Sequence, residues 1–118
     1  MNYFIMVFER DVFESYSQFH EDFVSHIQIK AWWHFVTSGY LIVTELSAQE
    51  LSQHANQIFV HHKLPNLHLV MEMNFTDYYG MLPKEAWEWI NEQSKKQWAG
   101  SLAKLTELDK QDKPPDFG

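Results

Sequence analysis

With 118 residues the chain has room for one domain and one core, and its 45% hydrophobic and 16% aromatic content supplies enough apolar surface to offset the entropy of ordering, which excludes global disorder. Nine basic against sixteen acidic residues give a formal charge of -7, which works against indiscriminate attraction to phosphate backbones. The absence of cysteine excludes disulfides, thiolate nucleophiles and thiolate metal sites; the longest apolar run, Tyr3 to Phe8, falls far short of the roughly 20 residues of a membrane span, and a cytoplasmic protein is expected.

Asn2 to Glu9 reads as a strand, with Tyr3, Ile5 and Val7 on one face and Phe4, Met6 and Phe8 on the other. Both faces are apolar, as in a central strand covered on two sides. Asp11 is positioned to cap a helix whose apolar residues Val12, Tyr16, Phe19, Phe23 and Ile27 step by three or four, with Phe13 and Val24 widening the stripe. Ala31 to Val36 and Tyr40 to Glu45 are aromatic and β-branched, and Thr37-Ser38-Gly39 between them suits a hairpin. The second of these strands is again apolar on both faces.

Ser47 and Glu50 form an S-x-x-E capping box, with Leu46 and Leu51 at the positions of a hydrophobic staple; the helix continues through Ala55, Ile58 and Phe59 until His61-His62-Lys63 and Pro65 close it. Leu67 to Phe75 alternates, and the apolar set Leu67, Leu69, Met71, Met73 and Phe75 is expected to be the buried face of an edge strand. Pro83 opens a helical segment with Ala86, Trp87 and Ile90 inward, and Trp98, Leu102, Leu105 and Leu108 resume the helical spacing beyond Gly100. Lys95, Lys96 and Lys104 lie among acids and read as a solvated helix face. Residues 111–118, with Pro114-Pro115, read as an extended tail.

Strand, helix, strand, strand, helix, strand is the α+β, ferredoxin-like βαββαβ plan, here with an added C-terminal helix, and a single domain over residues 1–110 is expected. In that plan the first and third strands are central, in agreement with their two apolar faces. Both helices cover one side of the sheet, so the other side needs a cover: the C-terminal helix or a second subunit, of which a homodimer is the preferred reading.

The segments WWHF at Trp32 to Phe35, YLIVTELSAQEL at Tyr40 to Leu51 and YYGMLPKEAWEWI at Tyr78 to Ile90 resemble a group of small bacterial proteins, some described as SinR-like, over roughly residues 2 to 91. More distantly the plan is similar to the small CRISPR-associated endoribonuclease-like subunit and to the virulence-associated D-type ribonucleases, both ferredoxin-like dimers. That resemblance implies an acidic metal or catalytic position near the end of the first strand, for which Glu9 and Asp11 are the nearest residues. The Tyr-Asp of those families is Phe8-Glu9 here.

Clustered carboxylates at Glu9, Asp11 and Glu72 would suit Mg²⁺ or Mn²⁺ for phosphodiester cleavage, against plainer roles as a strand-end charge, a helix cap and a polar edge-strand residue. His54, His61 and His62 invite a metal reading through their i, i+7 spacing, but the sequence fixes no acidic third ligand, and solvated helix-end histidines are the simpler account. Trp32, Trp33, Tyr78 and Tyr79 have the character of base-stacking residues without the interleaved basic ones, since Arg10 is the one arginine; with His34 they read instead as a binding surface for a protein partner. There is no nucleophile elbow and no glycine-rich phosphate loop. The expected function is a non-catalytic, homodimeric binding or regulatory module acting through protein contacts with an unidentified partner, with no cofactor, no metal, no membrane and nucleic acid disfavoured. The alternative is a metal-dependent endoribonuclease of toxin or CRISPR-associated type.

Overall fold

The computed structural model describes residues 1–112, with side chains described as far as residue 103. Its elements are β1 (Asn2–Phe8), α1 (Ser17–Val24), β2 (Ile29–Trp33), β3 (Gly39–Thr44), α2 (Ala48–His61), β4 (His68–Glu72) and α3 (Lys84–Asp112). They fall into two compact units, Met1–Met73 and a second that begins at Asn74.

The first unit has the ferredoxin-like α+β fold. Its four strands lie in the order β2-β3-β1-β4, and every neighbouring pair is antiparallel. The crossover through α1 steps over β3 and the crossover through α2 steps over β1, which is the split βαβ arrangement. β1 and β3 are central, as their two apolar faces require. On the helix side Phe4, Met6, Phe8, Tyr40 and Ile42 pack with Phe19 and Phe23 of α1 and Leu51, Ala55 and Phe59 of α2. Phe19 stacks on Phe59 with ring centroids 4.2 Å apart and on Phe23 at 5.4 Å.

α2 begins as its sequence dictates. The Ser47 side chain accepts from the Glu50 amide at 3.1 Å, and the Glu50 carboxylate accepts from the Ser47 amide at 3.0 Å. Hydrogen bonds to its carboxylate from the Ser47 backbone and then the Ser47 side chain hold the Glu50 carboxyl below its ordinary range. Leu46 and Leu51 are both buried beside them. Ser47→Ala removes the cap and is expected to lower the unfolding free energy by about 1 kcal/mol, measured by chemical denaturation. The helix ends in a Schellman motif: Lys63 sits at φ 57°, the Leu64 amide donates to Phe59 O at 2.9 Å, and the Lys63 amide donates to Val60 O at 3.1 Å.

Three expectations are corrected. α1 starts at Ser17, not behind Asp11, and Val12, Phe13 and Ile27 are exposed at 79%, 92% and 82%. Local bonds hold the backbone out of a helix there: Asp11 Oδ1 accepts from the Phe13 amide at 3.0 Å and the Tyr16 hydroxyl accepts from the Asp11 amide at 2.9 Å. β2 starts two residues and ends three residues earlier than expected, and it carries a bulge between Ile29 and Ala31, leaving Ile29 buried.

The faces of β4 are the reverse of those expected. Phe8 opposes His68 and Val7 opposes Leu69, and residues opposite one another share a face, so the register that puts Phe8 inward also turns His68 and Val70 inward. His68 is tolerated on that side because both ring nitrogens are used. Its Nδ1–H donates to Asn66 O at 2.7 Å, and the Ser52 hydroxyl donates to Nε2 at 2.7 Å. Leu69 and Met71 face outward, about half exposed.

In the second unit α3 runs without interruption through Gly100. The Pro83 carbonyl accepts from the amides of Ala86 and Trp87 at its start, and Ala86, Ile90 and Gln93 are buried. Phe75, also buried, meets the Tyr78 ring edge-on at 5.8 Å, and its amide donates to Gln97 Oε1 at 2.9 Å. Trp98 and Leu102 are exposed; the side chains of Leu105 and Leu108 lie outside the described residues. Of the expected tail, residues 111 and 112 belong to α3 and 113–118 lie outside the described residues. No helix among the described residues is long and apolar enough to cross a membrane.

Candidate functional site

The expected carboxylates do not come together. β1 and β4 run antiparallel with Phe4 opposite Glu72 and Phe8 opposite His68, so Glu72 lies at the far end of the pair from Glu9, about 16 Å away along the strand direction. Asp11 Oδ1 is engaged by the Phe13 amide. Among the described residues no three His, Asp or Glu side chains group closely enough to hold a metal ion.

Of the histidines considered for a metal, His61 and His62 lie ring to ring at 4.8 Å, and His54 has other surroundings. His54 lies half-buried beside Phe23, whose carbonyl accepts from its Nε2–H at 2.9 Å. His62 Nε2 bonds Asp22 Oδ2 at 2.6 Å, tying the end of α2 to α1.

His34 lies in a layered group that no sequence motif announces. Its ring stacks on Tyr40 at 4.0 Å and 5°. The His20 ring, from α1, lies 5.6 Å from His34 and nearly parallel to it, and Trp32 meets His20 edge-on at 4.6 Å. His20 Nδ1 and the Tyr40 hydroxyl share a hydrogen bond of 2.8 Å. His34 Nδ1–H donates to Gly39 O at 2.8 Å, so Nε2 is the acceptor of the neutral ring.

Burial lowers the His34 pKa; the Gly39 bond opposes this, and nearby His20 and Arg10 add to the lowering. Burial pushes the Tyr40 phenol well above the ordinary tyrosine range and keeps it protonated. His54 is likewise lowered by burial, against the bond to Phe23 O. Both histidines therefore bind protons more weakly in the fold than at the unfolded value of 6.5. The unfolded chain holds the extra protons, so this contribution to stability is complete above pH 6.5 and declines as the pH falls below it. Denaturation at pH 7.5 and at pH about 5.5 is expected to show the lower stability at the acid value.

Beside His34 and His20 opens a cleft of about 400 Å³, also lined by Arg10, Ser15, Tyr16, Ser17 and Glu21. Arg10 is held from two sides: its Nη1 donates to Thr37 O at 2.9 Å and its guanidinium lies 4.5 Å above the Tyr16 ring. The cleft thus brings together a fixed guanidinium, two imidazoles, the hydroxyl-bearing Ser15, Tyr16 and Ser17, and the Glu21 carboxylate. Arg10, His20 and Tyr40 escaped the sequence reading because residues from β1's end, α1 and β3 meet only in the fold; the one available signal was a lone arginine in an acidic chain.

The outer face of the sheet is a different surface. Val7, Leu69 and Met71 are 45%, 52% and 51% exposed; Val7 pairs with Leu69 and Ile5 with Met71, so they form one apolar patch, extended by exposed Leu67. Trp33 also points to this side, opposite Leu41, but it is buried, and among the described residues its Nε1 has no acceptor. Trp32 is 40% exposed on the helix side. Tyr78 and Tyr79 belong to the second unit, where Tyr78 lies against Phe75 and Trp87 and Tyr79 is fully exposed. Comparison with protein-family models, with curated proteins and with solved structures found no match to this chain.

Proposed function

We propose that the chain is a homodimeric binding module that works through protein contacts, with the outer face of its sheet as the seam between two copies. The observation that carries this reading is the exposed apolar patch of Val7, Leu69 and Met71, in register across β1 and β4. A soluble chain gains by covering such a patch, and a two-fold contact lets the same residues cover one another. The resemblance to small ferredoxin-like dimers points the same way. The charge of -7 and the absence of cysteine agree with a cytoplasmic module that does not track nucleic acid. Trp32 and His34, at the sheet edge, and Tyr79 are the residues offered to a further protein partner.

The ribonuclease reading, with Mg²⁺ or Mn²⁺ at Glu9 and Asp11, has less behind it, because Asp11 is committed to a turn and Glu72 is remote. Light scattering on the purified chain tests the proposal: a mass twice the 14.1 kDa of one chain is expected, and a mass of one chain at high micromolar concentration removes the dimer. RNA cleavage that needs Mg²⁺ and is lost in Glu9→Ala and Asp11→Ala would replace the binding reading by the catalytic one.

A further inference from the structure

We infer that the cleft at Arg10 is a binding site for the phosphate group of a small, hydroxyl-bearing phosphate monoester. The site lies on the helix side of the sheet, away from the dimer seam proposed above, and shares His34 with the surface offered to a further protein partner.

Arg10 is the one arginine of a chain with a formal charge of -7, and it stands at a concave surface. Its Nη1 bond to Thr37 O and its seat over Tyr16 fix the guanidinium plane. A guanidinium has five N–H donors in a planar fork that matches phosphate oxygens, and fixing it beforehand reduces the ordering cost of binding. Ser15 and Ser17 bring hydroxyls to the same wall, bonded to each other at 2.9 Å. Ser17 opens α1, which has no side-chain cap and no acidic residue in its first turn, so the end of the helix adds a field of the right sign.

The imidazoles complete the lining. His20 lies one turn along α1 from Ser17, and its Nδ1 is committed to Tyr40, which leaves Nε2 as its second polar atom. His34 presents a neutral ring whose Nε2 accepts, suited to a protonated phosphate oxygen or a ligand hydroxyl. Glu21 is the one acidic residue on the wall. It stands four residues beyond Ser17, about 6 Å along the helix axis. A carboxylate there opposes a bare dianion near it and accepts from hydroxyls, so it selects an ester with hydroxyls on its organic part over inorganic phosphate. The volume, about 400 Å³, is in the range of small-molecule sites.

The test is a titration of the full chain, followed through the ring resonances of His20 and His34 by NMR, with inorganic phosphate, a nucleoside 5′-monophosphate and the matching unphosphorylated nucleoside. Saturable shifts of both rings are expected with the monophosphate, at least tenfold weaker binding with inorganic phosphate, and none with the nucleoside. Arg10→Gln is expected to weaken monophosphate binding at least tenfold. Ser17→Asp, an exposed change that leaves the Arg10 contacts intact, is expected to abolish it. The assignment is overturned if the monophosphate gives no saturable shift at millimolar concentration, or if both variants bind it as the unaltered chain does. It is equally overturned if the nucleoside binds as well as its phosphate, or if a short RNA binds far more tightly than the mononucleotide.

Discussion

Phe19→Ala is expected to lower the unfolding free energy of the chain by about 3–5 kcal/mol, the range found when a buried aromatic ring is truncated. Phe19 is 1% exposed, and its ring touches those of Phe8, Tyr16, Phe23, Tyr40 and Phe59. It is thus the meeting point of α1, α2 and the helix side of the sheet. α1 has only eight residues and no side-chain cap, so packing through Phe19 and Phe23 is what holds it in place. Phe19→Leu keeps most of the apolar volume and is expected to cost about half as much. Chemical denaturation of the two variants checks both values. A loss below about 1 kcal/mol for the alanine variant would mean that α1 contributes little to the core.

Leu69→Glu is expected to separate the two copies while leaving each one folded. Leu69 is half exposed within one chain, so a polar residue there changes the stability of the single chain by no more than about 0.5 kcal/mol. In a dimer closed across the outer face, the same substitution places two carboxylates in an apolar seam near one another and near Val7. Desolvating them costs several kcal/mol, so the dissociation constant is expected to rise at least about a hundredfold, equivalent to about 2.8 kcal/mol. Sedimentation velocity over a concentration series measures this. Val7→Glu, across the strand pair, is expected to act in the same direction.

The parts of the fold legible in the sequence are those in which the local signal and the tertiary demand agree. β1 and β3 were recognisable as central because both of their faces are apolar, and the S-x-x-E box at Ser47 marked the start of α2 to the residue. The misplaced parts are those decided by contacts distant in sequence. The alternation of β4 was plain, but which face is buried depends on its register with β1, and His68 can turn inward only because Ser52 and Asn66 satisfy its ring. The residues before α1 have a helical apolar spacing, yet side-chain bonds of Asp11 and Tyr16 keep the segment out of the helix. For the same reason His34 was singled out from a strand pattern while its neighbours His20, Tyr40 and Arg10 were not, since three separate segments supply them.

The central claim, that the outer face joins two copies, is tested most directly by isotope-filtered NOE spectroscopy on a mixture of labelled and unlabelled chains, which reports only contacts between copies and needs no substitution. The proposal predicts intermolecular cross-peaks among the methyl groups of Val7, Leu69 and Met71. A dimeric sample whose intermolecular cross-peaks come instead from other residues, such as Trp98 and Leu102, or a sample that gives none at a concentration where the mass is that of two chains, would contradict it.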